Sequence, residues 1–142
     1  MNVKYLHSPY LSEPFMNQKA VVKRAQEQLA DVEFDALVGM GLSGSLIVPL
    51  LAFIMDKRFA IVRKHDCANS HGQTCHGIES CLKAGDKWLF CDDFISSGTT
   101  RRRVIKRMYD NHVTKVDYVG DYLYGSQGYT TYYFEKHGGE TS

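Results

Sequence analysis

Asp92 and Asp93 stand side by side at the end of a short apolar run, and a cluster of small residues follows almost at once: Ser96, Ser97, Gly98, Thr99 and Thr100. The two groups suit opposite charges. Small residues let the backbone approach a ligand closely, and their amides, with the start of the next helix, point donors at one spot. That is an anion site, suited above all to phosphate. The serine and threonine hydroxyls add further donors. Paired carboxylates would repel phosphate on contact, so they must hold another part of the same ligand, such as the vicinal hydroxyls of a sugar or a magnesium ion. A sugar phosphate meets both demands. A helix cap without a ligand explains one carboxylate or one serine, but not two acids followed by SSGTT.

The flanking elements decide where such a site would sit. Val22, Ala25, Leu29 and Val32 recur at helical spacing in residues 17–32, with charge on the other face. FDALVGM (34–40) is a short apolar run ending in glycine and predicts a buried strand. GLSGS (41–45) predicts a loop in which Ser45 or Ser43 caps the helix that follows, at about 45–56, which is apolar nearly all round. Pro49 then falls near the first turn, where it is tolerated. Strands follow at 58–64 and 87–91, separated by a long aperiodic loop (65–80) and a turn at 82–86. A helix from Gly98 to Tyr109 puts Val104, Ile105, Met108 and Tyr109 inward, and further strands are predicted at 113–120 and 130–134. Strand, helix, strand, strand, helix, strand is the order of an α/β fold: three layers, with a mainly parallel five-stranded sheet flanked by helices. In such sheets ligands bind beyond the carboxyl ends of the strands. The loops at 40–45, 64–80 and 92–98 all follow strands, so they are expected to face one site.

The chain has 142 residues, enough for one domain with a substantial core, and residues 136–142 read as a polar, glycine-rich tail. A formal net charge of +1 gives no general pull toward nucleic acid or a membrane. The longest apolar run, 46–55, is too short to span a bilayer, and the N-terminus lacks the regions of a secretion signal. Four cysteines in a chain of this size point to a reducing, cytoplasmic setting rather than a disulfide framework. His65, Cys67, His71, Cys75, His76 and Cys81 are residue types that zinc favours, but without a standard spacing. The plainer reading is a loop with one functional histidine and incidental thiols. Arg101, Arg102, Arg103, Lys106 and Arg107 crowd one helix. They read as a solvated face or a dimer contact before a nucleic-acid surface, because the overall charge is near zero.

CDDFISSGTT (91–100) resembles, along its whole length, the phosphoribosyl pyrophosphate-binding motif of the type I phosphoribosyltransferases. The resemblance extends to the predicted order of elements over about residues 33–125. It implies that Asp92 and Asp93 hold the ribose hydroxyls, with magnesium as the metal, and that Ser96, Ser97, Gly98, Thr99 and Thr100 hold the 5′-phosphate. It implies that the backbone of Gly41, Leu42, Ser43 and Gly44, within GMGLSG, contacts the pyrophosphate. VRKHD…HG (62–72) is similar to the lid of the orotate-type enzymes, which gives Arg63, Lys64 and His71 to the leaving pyrophosphate and Lys64, with the two aspartates, to catalysis.

The resemblance thus implies transfer of ribose 5-phosphate to a nitrogenous base, orotate-like or adenine-like, by a cytoplasmic homodimer of nucleotide metabolism. Ser96 stands where enzymes acting on 6-oxopurines carry an acid, which argues against those bases. The hood over the base must be small, drawn from residues 8–15 or 121–129, with Tyr122 and Tyr124 as candidate stacking platforms. The lid lacks the second lysine of the orotate type, which leaves open a non-catalytic regulator that binds phosphoribosyl pyrophosphate or a nucleotide on the same fold.

Overall fold

The structure, a computed structural model, describes residues 17–63, 77–93, 95, 97–111, 115–125 and 132–135, with backbone alone at 42, 43, 111 and 132–135. Helix α1 (Gln18–Gln28) opens at Asn17, whose side chain accepts from the Ala20 amide. Val21, Ala25 and Leu29 form its buried stripe, with Val22 at the margin. Strand β1 (Ala36–Met40) is buried at all five positions, as a central parallel strand must be. Helix α2 (Gly41–Ile54) crosses to strand β2 (Arg58–Val62), which pairs parallel with β1. Strands β3 (Ile78–Ser80) and β4 (Lys87–Asp92) follow, then helix α3 (Thr99–Asn111), strand β5 (Asp117–Leu123) and strand β6 (Tyr132–Glu135).

The sheet order is β3-β2-β1-β4-β5-β6, parallel across its four inner strands and antiparallel at both edges. The sheet therefore has six strands where five are expected, since Ile78–Ser80 adds an edge inside the expected 65–80 loop. Two cores lie on its two faces, and strand periodicity divides them. Leu37, Leu89, Cys91, Tyr122 and Tyr124 pack toward α1 and α2, with Ile47, Val48 and Leu51. Ala36, Val38, Met40, Trp88 and Phe90 pack toward α3, with Val104 and Met108.

Two helical expectations need correcting. α2 begins at Gly41, directly after β1, so the expected loop at 41–45 is the first turn of the helix. Pro49 consequently lies in the interior of α2 rather than near its start, and the carbonyl of Ser45 has no proline N–H to accept from. On α3 the inner face is carried by Val104 and Met108, with Ile105 at its margin, whereas Tyr109 is 87% exposed. Among the described residues, no helix is long and apolar enough to cross a membrane.

Candidate functional site at the carboxyl ends of the central strands

The sheet order creates the site. From β1 the chain crosses outward to β2, whereas from β4 it crosses the other way to β5, so the two crossovers diverge at the β1–β4 boundary. Ladder pairing between β1 and β4 runs from Ala36↔Trp88 to Val38↔Phe90 and stops there. Gly39, Met40, Cys91 and Asp92 lie beyond that register, at a switch point of the kind that opens a ligand crevice.

On the β1 side, the backbone is brought in close by glycines. A Cβ on Gly39 would lie 2.8 Å from Val48 Cγ2, 2.9 Å from Gly44 Cα and 3.2 Å from the Cys91 carbonyl oxygen. A Cβ on Gly44 would meet the Gly39 carbonyl carbon at 2.8 Å. The first turn of α2 thus lies directly against the end of β1, and β1 directly against β4. Gly41 makes the sharp entry into the helix at φ +71°, which other residues rarely adopt. Ser45 Oγ donates to the Gly41 carbonyl at 2.8 Å and steadies the turn.

On the β4 side, both acids are fixed through their backbone. The Asp92 carbonyl accepts from the Tyr124 amide at 3.0 Å, and the Asp93 carbonyl from the Gly125 amide at 2.9 Å. Asp92 Oδ1 accepts from the Asp93 amide at 2.9 Å, which sets the Asp92 carboxylate at the strand end. Asp92 is half-buried and Asp93 buried. Past them, Ser97 Oγ accepts from the Thr99 amide at 3.3 Å and lies 2.9 Å from Thr99 Oγ1. Gly98, at φ +83°, turns the chain into α3, and its carbonyl accepts from the Arg102 amide at 2.9 Å. Thr99 and Thr100, at the exposed N-terminus of α3, add hydroxyls beside the amides of its first turn. Cys91 is fully buried, and desolvation together with the neighbouring acids raises its thiol far above the ordinary value, so it is not a nucleophile.

Gly41, Gly44, Asp92, Asp93, Ser97, Gly98, Thr99 and Thr100 therefore gather at the same ends of two adjacent strands. Leu42 and Ser43 contribute backbone to the first turn of α2. Arg63, just past β2, has its guanidinium paired with Glu79 on β3 at 2.6 Å, both half-exposed. Lys64, His71 and Ser96 lie outside the described residues, as do residues 8–15, 126–129, 136–142 and five of the six cysteines and histidines in the loop cluster. Tyr122 and Tyr124 do not fit the stacking role: both side chains are fully buried in the core shared with α1 and α2.

The arginine-rich helix also differs from a uniformly solvated face. Arg101 turns inward, its Nε 2.8 Å from Asp121 Oδ2 on β5, and its Nη2 donates to the Tyr118 hydroxyl at 2.7 Å. That hydroxyl donates to Asp121 Oδ1 at 2.6 Å. Asp121 is buried and its two partners partly so, and desolvation lifts the Asp121 carboxyl above the usual range despite them. It bolts the first turn of α3 to the sheet. An acid inside an otherwise apolar-aromatic strand, DYVGDYL, was the sequence signal that one of the arginines must come to meet it. Arg107 donates to the Arg63 carbonyl, and Arg102 Nη1 to the Ser97 carbonyl at 3.3 Å.

No family model and no curated protein matches the chain. Solved structures do. The chain is similar to UMP synthase of Leishmania donovani with a TM-score of 0.61 and 20% identity over 78% of this chain and 22% of that one. It is similar to adenine phosphoribosyltransferase of Saccharomyces cerevisiae, with a TM-score of 0.55 and 22% identity over 76% of this chain and 66% of that one. Orotate phosphoribosyltransferase of Mycobacterium tuberculosis, in complex with 5-phospho-α-D-ribosyl 1-diphosphate, gives 0.57 and 18% over 78% and 63%. The chain thus spans about a fifth of the first protein and under two thirds of the last. At these identities the likeness establishes the fold, that of the type I phosphoribosyltransferases.

Proposed function

We propose that the crevice binds phosphoribosyl pyrophosphate and that the protein transfers its ribose 5-phosphate to a nitrogenous base, orotate-like or adenine-like, with release of pyrophosphate. One observation carries this reading: the structure sets the glycine-tight turn Gly39–Gly44 and the Asp92–Asp93/Ser97–Thr100 segment at the same ends of adjacent strands. Each segment alone is a turn; together they offer two anion cradles with a pair of acids between them in chain order. The Ser97–Thr100 amides and hydroxyls take the 5′-phosphate, with Ser96 beside them. Asp92 and Asp93 take the ribose hydroxyls, and the amides of Gly41, Leu42, Ser43 and Gly44 face the pyrophosphate.

The donors at Asp92 and Asp93 are carboxylate oxygens, the kind that magnesium takes together with substrate phosphates. When bound, the ion supplies positive charge against the departing pyrophosphate. In the transfer the bond from the sugar C1 to the pyrophosphate oxygen breaks and a bond from C1 to the base nitrogen forms. Charge accumulates on the leaving oxygens, where Lys64, Arg63 and His71 are assigned. Arg63 can reach that role only by leaving Glu79, and an exposed pair of this kind costs about 1 kcal/mol or less to break. The same pairing favours the second reading, a regulator that binds the sugar phosphate without turning it over. Homodimerisation and a cytoplasmic setting belong to the proposal as well.

The test supplies the protein with phosphoribosyl pyrophosphate, magnesium and a panel of pyrimidine and purine bases, and measures pyrophosphate release. Release that depends on one base establishes the enzyme. Calorimetric binding of phosphoribosyl pyrophosphate without release establishes the regulator, and no binding at all removes both.

A further inference from the structure

Arg63 and Gly77 bracket residues 64–76, and a side chain from a distant helix is built into the junction where the two meet. The Arg63 amide donates to the Gly77 carbonyl at 2.7 Å, which ties the two positions together. Arg107, on α3, donates through Nη1 to the Arg63 carbonyl. Its Nη2 would lie 2.2 Å from a Cβ on Gly77, so the guanidinium fills the space that a side chain there would need. Gly77 also turns at φ +68°, a second reason for glycine at this position. Other cations of α3 are engaged elsewhere: Lys106 with Asp110, Arg102 with the Ser97 carbonyl and Arg101 with Asp121. Arg107 lies about 12 Å along the helix axis from Thr99. Helical side chains lean toward the N-terminus, so it reaches back toward the carboxyl ends of the strands.

The two faces of the sheet show what this contact does. Val62 packs toward α3, whereas Ile61 packs toward α1 and α2. Glu79 is the cross-strand partner of Ile61, so Glu79 and the Arg63 guanidinium paired with it lie on the α2 face. That face carries the Gly41–Gly44 turn. Val62 pairs with Met40, so Arg63 follows β2 at the level where Gly41 follows β1. The Arg63 side chain thus leaves the chain on the α2 face, while Arg107 fixes its backbone from the opposite one. We infer that Arg107 is a positioning residue for the pyrophosphate end of the crevice, acting through Arg63. Held at its carbonyl, Arg63 has a fixed origin from which its guanidinium passes between Glu79 and the ligand. Released, it spreads over more positions, and ordering it on the ligand costs more. The inference rests on the proposed function in one respect, that pyrophosphate is the ligand of Arg63.

Calorimetry with two separate probes, each with magnesium, is the test. Inorganic pyrophosphate reads the Arg63 end, and ribose 5-phosphate reads the end formed by Asp92, Asp93 and Ser97–Thr100. Arg107→Met is expected to weaken pyrophosphate at least about 10-fold and to leave ribose 5-phosphate within about twofold, a split that a loosened fold would not produce. Arg63→Met removes the guanidinium but keeps the carbonyl. In that background Arg107→Met is expected to change pyrophosphate binding by less than about twofold, because the group it acts through is gone. Should Arg107→Met fail to fold, Gly77→Ala displaces the guanidinium with Arg107 intact, and the same split is expected. Pyrophosphate unweakened, or both probes weakened alike, overturns the inference and leaves the proposed function standing. So does a full effect of Arg107→Met in the Arg63→Met background. An unmodified protein that binds ribose 5-phosphate but not pyrophosphate also overturns the inference, and one that binds neither overturns the proposed function with it.

Discussion

At the scale of single residues, the crevice rests on two kinds of residue, and they fail differently when changed. Asp92 and Asp93 are held by main-chain bonds to Tyr124 and Gly125, so replacing their carboxylates with amides of equal size leaves the strand end in place. Asp92→Asn with Asp93→Asn is expected to weaken phosphoribosyl pyrophosphate at least about 100-fold, since hydrogen bonds to a charged group contribute about 1.5–3 kcal/mol each. Calorimetry with a parallel melting curve separates lost contacts from lost fold, and unchanged affinity would remove these acids from the site. Gly39 is the opposite case. Gly39→Ala puts a methyl 2.8–3.2 Å from Val48, the Gly44 Cα and the Cys91 carbonyl, two of them backbone. Overpacking of this sort costs about 1–3 kcal/mol and pushes the first turn of α2 off β1, so both melting temperature and ligand affinity are expected to fall. The sequence shows why one pair was legible and another was not. Adjacent acids before a small-residue turn have few structural uses, whereas Tyr122 and Tyr124 sit two apart on a strand. That spacing shows that they share a face without revealing that α1 covers it.

Among the elements, α3 and the edges of the sheet decide how well the site is held. The Arg101–Tyr118–Asp121 network ties α3 to the sheet through an ion pair, and it lies two residues into the helix that begins at Thr99. Arg101→Met keeps the stem of the side chain and removes the charge. Asp121 is then buried without its cation, a loss of about 3–5 kcal/mol. The pH dependence identifies the cause. Burial already raises the Asp121 carboxyl, and without Arg101, which lowers it, it rises further. The folded variant then binds a proton more readily than the unfolded chain, so its deficit is greatest at neutral pH and narrows as the pH falls toward the ordinary carboxylate value of about 4. A deficit independent of pH would mean that packing, not charge, holds the helix. Element types were legible wherever the period was strong, as in β1, β4 and α3. They were not legible at Gly41–Ser45, where two glycines and two serines read as loop because the close approach that favours Gly44 is a tertiary contact. Nor were they at Ile78–Ser80, three mostly polar residues that become a strand only by pairing with β2.

Across the whole molecule, the two ends of the sheet do different work. The carboxyl end gathers the crevice, and the amino end gathers charges that bind elements to each other. There Asp86, 4% exposed, receives Arg58 Nε at 2.7 Å and the Lys83 amide at 2.7 Å, while its carbonyl accepts from the Asp117 amide at 2.8 Å. One residue thus joins β2, the turn before β4 and the start of β5. The Arg58 guanidinium beside it holds the Asp86 carboxyl below the usual carboxylate range. A depressed acid contributes stability that is fully present above the unfolded value, near 4, and is lost as the pH falls through the lower folded value. The unmodified protein is therefore expected to lose stability below about pH 4 more steeply than Asp86→Ala, which has already lost that contribution. At neutral pH the substitution removes hydrogen bonds from a charged group, about 2 kcal/mol in all, and lowers the melting temperature by roughly 5–10 °C. The crevice lies at the far ends of the same strands, about 15 Å or more away for a strand of five or six residues. At 25 °C, well below the transition, the dissociation constant for phosphoribosyl pyrophosphate is therefore expected to stay within about twofold of the unmodified protein. Calorimetry beside thermal melts checks both halves. An affinity that collapses together with the melting temperature would show that the amino end also shapes the crevice, and that the sheet transmits strain along its strands instead of dividing support from binding.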